Sequence, residues 1–339
     1  MRQWAESIIK TLERGEALIW VSILASSGST PRGAGARMLV FADGHSEGTI
    51  GGGAVEYAAQ KQAKKLLEEK NSGAVGYSLK KDDVAGLGMV CGGDVKVYFQ
   101  YLEGEGELPL FYRLQEICSK NEDSWLVRRF ERDQVTAMAL FDGEGLHFGD
   151  GISEHDLSGL MKAGAVYRVG EPSWYVEPVG RAGRVYVFGG GHVSQELVPV
   201  LAHIGFSVAV FEDRPEFARP ELFGGGASEI FLGDFKEIGA SVTLTEQDYV
   251  VIMTRGHQAD FEVLSQVLKL PLSYIGCIGS RRKIEATKER LKAIGYPADA
   301  YDRVHSPIGL AIGAETPAEI AISIAGELIK YRAESGGVL

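Results

Sequence analysis

Val185-Tyr186-Val187-Phe188-Gly189-Gly190-Gly191-His192-Val193-Ser194 decides the fold of the C-terminal half. Four apolar residues in succession, β-branched and aromatic, read as a short strand buried on both faces. The glycines that follow satisfy G-x-G-x-x-G/A, with serine in the last place, small enough for close helix–strand packing. A helix is predicted from there to Ile204. The next strand, residues 207–211, ends in Glu212 and Asp213, about 20 residues on, where an acid that binds a ribose hydroxyl is expected. Strand, glycine turn, helix, strand and acid in that order predict a Rossmann βαβ unit. The strand–helix alternation from Arg184 onward extends it into a doubly wound parallel sheet. Gly189, Gly190, Gly191, His192, Glu212, Asp213 and the adjacent Arg214 are therefore candidate nucleotide-binding residues.

Ligands of such sheets bind beyond the carboxyl ends of the strands, so later loops should gather on the same edge. Residues 249–253 predict a strand that ends in Thr254, Arg255, Gly256 and His257, with Asp260 one turn into the next helix. Residues 272–278 predict another, ending in Gly279, Ser280, Arg281, Arg282 and Lys283. Ser280 suits an N-cap, yet three cations follow where the helix dipole disfavours them by ~0.3–1 kcal/mol each. A bound phosphate would remove that mismatch; a solvated basic helix start is the plain alternative. Arg255, His257, Ser280, Arg281 and Lys283 join the candidates. Thr316, Pro317, Ala318 and Glu319 form a capping box with proline at N1 and predict the last helix.

The N-terminal half is organised around a second glycine-rich tract. It runs through Gly28, Ser29, Thr30, Pro31, Arg32 and Gly33, then Gly35, Ala36 and Arg37, a short strand at 38–41, and finally Gly48, Thr49, Ile50, Gly51, Gly52, Gly53 and Glu56. Residues 54–70 predict a helix, which places the triple glycine at a helix N-terminus, where N–H donors and the dipole favour an anion. A hairpin that uses glycine only for tight turns is the competing reading. Residues 1–16 predict an amphipathic helix, and 17–24 and 95–102 predict strands. The polar stretch at 103–107 marks the end of a first, α+β domain, residues 1–105. Residues 106–180, with a helical stretch at 110–119 and strands at 124–130 and 135–141, read as an intermediate segment, either a small module or a continuation of the first domain. Residues 181–339 are the Rossmann-like domain.

Composition bounds the function. With 45% hydrophobic and 24% charged residues the chain is ordinary for a globular protein, and its net charge of −11 argues against nucleic acid and anionic membrane surfaces. The first 105 residues are near neutral, with 12 basic and 13 acidic side chains, which leaves room for a locally basic pocket. No apolar run approaches the roughly 18 residues of a membrane span, and residues 1–10 lack a signal-peptide pattern, so a cytoplasmic protein is expected. Three cysteines, Cys91, Cys118 and Cys277, are too scattered for a disulfide framework or a zinc site. Cys118 and Cys277 fall in a helix and an apolar strand. Cys91 precedes Gly92 and Gly93 in a loop, where an accessible thiolate would be reactive and a soft ligand.

Taken together, these motifs resemble the XdhC/CoxI family, accessory factors of molybdenum hydroxylases such as xanthine dehydrogenase. The resemblance rests on Gly28 to Arg32, Gly48 to Gly53 with Glu56, Cys91 to Gly93, Gly189 to His192, Asp213 to Pro215, Tyr274 to Gly276 with Gly279 to Arg281, and Pro307 to Leu310 with Gly313, Thr316 and Pro317. Ala311 stands where an aspartate is expected. The resemblance implies binding of molybdenum cofactor, support of its sulfuration and delivery to a hydroxylase apoprotein, with a cysteine desulfurase as a further partner and a homodimer as the assembly. Gly28, Ser29, Thr30, Pro31, Arg32, Arg37, Gly51, Gly52, Gly53, Glu56, Cys91, Gly92 and Gly93 are then the expected cofactor-binding residues, with Cys91 as thiolate ligand or sulfur relay. Two other readings stand beside it: an NAD(P)-dependent oxidoreductase, and a scaffold that senses a nucleotide at Gly189–Gly191.

Overall fold

The structure, a computed structural model, describes residues 1–78, 93–118, 120–162, 164–181 and 183–335. Cys91 and Gly92 therefore lie outside the described residues. The chain divides into two units, Met1–Arg181 and Ala182–Gly337.

In unit 1, α1 (Arg2–Glu13) is followed by β1 (Leu18–Ser27), β2 (Arg37–Phe41), β3 (Ser46–Thr49), α2 (Gly53–Glu68), β4 (Gly73–Ser78) and β5 (Asp94–Leu102). The strands form one antiparallel sheet in the order β3-β2-β1-β5-β4. Successive side chains on a strand point to opposite faces, and here both faces are covered. Ile19, Val21, Ile23, Val97 and Phe99 pack on Val55, Ala59, Ala63 and Leu66 of α2. Leu18, Trp20, Leu39 and Leu102 pack the other way, on Ala5, Ile8 and Leu12 of α1. The helix expected at 110–119 is α3 (Leu108–Ile117), which starts earlier because Pro109 fits its first turn.

Residues 106–180 build a second five-stranded antiparallel sheet within the same unit. Its strands are β6 (Ser124–Glu131), β7 (Gln134–Asp142), β8 (Gly145–Phe148), β9 (Val166–Arg168) and β10 (Ser173–Gly180), ordered β8-β7-β6-β10-β9. The two sheets meet through a buried polar cluster. Arg128, with 0% of its surface exposed, donates to Glu177 and to Ser22 at 2.9 Å each and to Gln100 at 3.4 Å. Its guanidinium lies 4.5 Å from the Trp20 ring centre and 4.9 Å from that of Tyr175. A buried cation is tolerable only when paired and hydrogen-bonded, and partners from β1, β5 and β10 meet that condition.

Unit 2 holds β11 (Val185–Phe188), α4 (His192–His203), β12 (Val208–Glu212), β13 (Glu229–Leu232), β14 (Tyr249–Ile252), α5 (His257–Val267), β15 (Tyr274–Cys277), α6 (Arg281–Ala293), β16 (Val304–His305) and α7 (Pro317–Glu334). All six strands are parallel, in the order β13-β12-β11-β14-β15-β16. This is the 3-2-1-4-5-6 order of the Rossmann fold, with its switch point between β11 and β14. Buried strands such as VYVF and YVVI explain the continuous apolar runs. The α/β architecture expected from the sequence is present, Ser280 caps α6 through the Lys283 amide, and Thr316 and Glu319 close the capping box of α7.

Candidate functional site

Three glycine-containing segments of unit 1, far apart in sequence, converge at one end of its first sheet. The Gly28–Gly33 loop leaves β1, and a Cβ on Gly51 would stand 2.9 Å from the Pro31 Cβ and 3.6 Å from the Arg32 Cγ. A Cβ on Gly93 would stand 2.3 Å from the Ser27 carbonyl oxygen, 2.7 Å from the Thr30 methyl and 2.8 Å from the Ser29 carbonyl oxygen. Glycine is thus required at Gly93 by close backbone approach and at Gly51 by the Pro31 ring together with a positive φ. Gly51, Gly52 and Gly53 have φ of 131°, 70° and 60°, a run of positive values open to glycine without strain.

The turn before α2 brings its own anion. The Glu56 carboxylate accepts from the Ile50 and Gly52 amides, each at 3.1 Å, and from the Thr49 hydroxyl, which in turn accepts from the Gly51 amide at 3.0 Å. Burial opposes ionisation of Glu56, but the Thr49 hydroxyl and the Gly52, Ile50 and Gly51 amides outweigh it and hold the carboxyl below its ordinary value. Part of the donor set expected to face a ligand is therefore used to shape the turn. Arg32 is exposed and makes no ion pair or hydrogen bond among the described residues. Arg37 is committed elsewhere: its guanidinium pairs with Glu177 at 3.5 Å and donates to the Gly35 carbonyl at 3.3 Å.

Beside the Gly28–Gly33 loop lies a cavity of about 560 Å³, lined by the end of β1 (Ala25, Ser26, Ser27), by β4 (Ala74 to Ser78), by the start of β5 (Asp94, Val95, Lys96) and by Asp133. That volume falls in the usual range for small-molecule sites, about 300–1,000 Å³. Lys96 donates to Asp133 at 2.7 Å and to the Tyr167 hydroxyl at 3.2 Å. Burial works against the charge on Lys96, yet Asp133 and Tyr167 raise its pKa above the ordinary value. Burial pushes the Tyr77 phenol up to about 12, so it is neutral at physiological pH. Reading the sequence alone misses Asp94, Lys96 and Asp133, which belong to no motif: Asp94 and Lys96 share one face of β5, and Asp133 reaches Lys96 from the turn between β6 and β7.

The carboxyl edge of the unit 2 sheet gathers the expected loops but has already closed many of their groups on one another. A Cβ on Gly189 would lie 2.4 Å from the Met253 carbonyl oxygen, and one on Gly190 2.5 Å from that of Phe217, whereas Gly191 has nothing within 4 Å. Gly189 thus serves packing across the switch point and Gly190 packing on the loop after β12, while Gly191 faces open space. Ser194 is buried at the start of α4, as a small residue in that place should be. Glu212, with 0% exposure, accepts from the amides of Gly190 (2.7 Å), Asp213 (3.0 Å) and Arg214 (3.2 Å) and from the Arg214 guanidinium at 3.0 and 3.1 Å. Burial resists its ionisation, but Arg214, Asp213 and the Gly190 amide pull its pKa down to about 2. Asp213 is raised, first by burial and then by its acidic neighbour, and pairs with Arg255 at 3.3 Å.

The cation excess at the start of α6 has a partner as well. Lys283 meets the buried Asp260 carboxylate at 2.5 Å, and Asp260 also accepts from the Thr254 amide at 2.9 Å and its hydroxyl at 2.6 Å. The space around this pair is about 10 Å³, barely that of one water. His192, His257 and Ser280 are exposed at the first turns of α4, α5 and α6. Arg281 begins α6. Cys277 is buried, which pushes its thiol up to about 12, and Cys118 donates to the Val179 carbonyl, so both are packing residues. Among the described residues no cluster of His, Cys, Asp and Glu could hold a metal, and no helix is long and apolar enough to cross a membrane.

Comparison with known proteins agrees with this architecture. Residues 185–328 match the XdhC Rossmann domain, and residues 11–78 match the XdhC and CoxI family. Uncharacterized protein YqeB of Escherichia coli is 26% identical over 317 residues, covering 94% of this chain but 44% of the relative. The chain thus spans less than half the length of that protein. A Bacillus subtilis protein described as a probable xanthine dehydrogenase subunit is 26% identical over 327 residues and 95% of either chain. A crystal structure described as a xanthine dehydrogenase from Bacillus halodurans superposes with a TM-score of 0.82 at 26% identity, covering 98% of this chain and 96% of the other. With one match in each unit, and together well over half the chain, the protein belongs to the XdhC/CoxI family.

Proposed function

We propose that this chain is a carrier of molybdenum cofactor that holds the cofactor in unit 1, supports its sulfuration and passes it to a molybdenum hydroxylase. The observation that carries the reading is the convergence of the Gly28–Gly33 loop, the Gly51 turn and Gly93 beside a cavity of about 560 Å³. The cargo is a pterin with a phosphate and an anionic dithiolene–metal head, and these residues suit it. The serine hydroxyls of the loop and the uncommitted Arg32 are donors such an anion requires, and the glycines let it approach the backbone closely. Arg37 and the Glu56-bound amides are already in use, which leaves Arg32 as the cation of the cradle. Cys91 is proposed as the thiolate that contacts the metal head or relays sulfur. When bound, the cofactor supplies the metal centre that the hydroxylase needs; this chain supplies binding and shelter.

The names of the Bacillus relatives support a xanthine dehydrogenase as the recipient. A cysteine desulfurase is proposed as the sulfur donor's source, a homodimer as the assembly and the cytoplasm as the location. Binding of NAD(P) or another nucleotide at unit 2 is the second reading, favoured by the strand order and the open face of Gly191. It ranks lower because Glu212 and Lys283 are already engaged. The test is molybdopterin content of full-length protein purified from a cofactor-producing host. Arg32→Ala and Cys91→Ala should lose most of the pterin and Arg255→Ala should keep it. Retention by both unit 1 variants, or loss only in the unit 2 variant, would refute the assignment.

A further inference from the structure

Resting on that reading of unit 1, we infer that the groove between β1, β4 and β5 receives the 2-amino-4-oxopyrimidine edge of the pterin, with Asp94 as its acceptor. The groove holds about 560 Å³ and mixes two kinds of lining. Ala74 and Gly76 leave a low floor for a flat ring, and Asp94, Lys96 and Asp133 beside it offer charge, whereas Val75 and Tyr77 turn to the other face and pack toward α2. The two carboxylates differ in what they have left to give. Asp133 is bound to Lys96 at 2.7 Å, whereas Asp94 is exposed and its carboxylate has no hydrogen bond or ion pair among the described residues.

An ionised carboxylate only accepts, and its two oxygens match a pair of neighbouring N–H donors. An amino group beside a ring N–H, as on the pyrimidine edge of a pterin, is such a pair. Asp94 directly follows Gly93, which lies against Ser27, Ser29 and Thr30. Asp94 therefore adjoins the loop that carries Arg32, which sets an acceptor for the ring end of a ligand beside the segment that holds the cation. Guanine nucleotides share this edge, so the test must tell the two ligands apart.

Full-length protein is titrated with 6-carboxypterin, followed by its fluorescence, and with GMP and lumazine, which lacks the amino group, as competitors. The wild type should bind 6-carboxypterin, and Asp94→Asn should weaken it roughly 10- to 100-fold, the scale of hydrogen bonds to a charged group. Lumazine should bind weakly and equally to both proteins. Gly76→Phe serves as a second variant: Gly76 lines the groove and has nothing within 4 Å of an added Cβ, so the side chain should enter the groove without disturbing the fold and abolish binding. Unchanged affinity in both variants overturns the groove assignment. If molybdopterin still co-purifies with the wild type and depends on Arg32, the carrier reading survives that result. GMP binding as tight as 6-carboxypterin overturns the pterin assignment in favour of a guanine nucleotide.

Discussion

Glu212→Gln offers a quantitative test of the claim that the unit 2 glycine turn is held by an internal carboxylate. The change keeps the shape and removes the charge that five donors surround. Folding lowers the Glu212 pKa from 4.5 to about 2. A group depressed on folding contributes stability that is fully present above its unfolded pKa and is lost as pH falls through its folded one. At 1.36 kcal/mol per pH unit the contribution is ~3 kcal/mol at pH 7 and falls to about half of that at pH 3. Urea denaturation at several pH values measures it. Far-UV circular dichroism is the signal to follow, because Trp4, Trp20, Trp125 and Trp174, the four tryptophans of the chain, all lie in unit 1. The stability gap between wild type and Glu212→Gln should be about 3 kcal/mol at pH 7 and shrink by about half at pH 3. Equal stability at pH 7, or a gap that does not change with pH, would refute the reasoning.

Other substitutions test unit 1. Gly93→Ala places a Cβ 2.3 Å from the Ser27 carbonyl oxygen and should cost ~1–3 kcal/mol together with pterin retention, whereas Gly106→Ala, with nothing within 4 Å, should change neither. Arg128→Leu leaves the buried Glu177 with Arg37 alone, 3.5 Å away, and should cost ~3–5 kcal/mol in urea melts followed by tryptophan fluorescence; Arg128→Leu with Glu177→Leu should recover part of the loss. No recovery would mean that the cation–aromatic stacking, not the charge pair, holds the sheets. Glu56→Gln should cost ~1 kcal/mol at pH 7, the difference between charged and neutral hydrogen bonds. Because its folded pKa is lowered, that cost should fade as pH drops below the ordinary carboxyl range.

How much of this was legible beforehand follows from where each signal resides. β11, β12, β14 and β15 are buried on both faces, so their apolar runs between glycines stand out in the chain. β3 reads Ser46-Glu47-Gly48-Thr49, polar and partly exposed, and β4 carries Gly73 and Gly76; neither shows a strand pattern. Arg128 and Glu177 look like ordinary outward positions, and only the stacking of two sheets makes them a buried pair. Glu212 sits where a ribose acid belongs, but a sequence cannot reveal that Arg214 and the Gly190 amide have taken its oxygens. The groove was invisible for a related reason: its face is made by strands that register brings side by side, Gly76 opposite Lys96 and Ser78 opposite Asp94.

The most direct test of the carrier function is the pterin content of full-length wild-type protein made in a host that synthesises molybdenum cofactor, followed by incubation with a cofactor-free molybdenum hydroxylase. The account predicts that molybdopterin co-purifies with the chain and moves to the hydroxylase on mixing. Protein that never retains molybdopterin, or retains it and releases none to the hydroxylase, would contradict it.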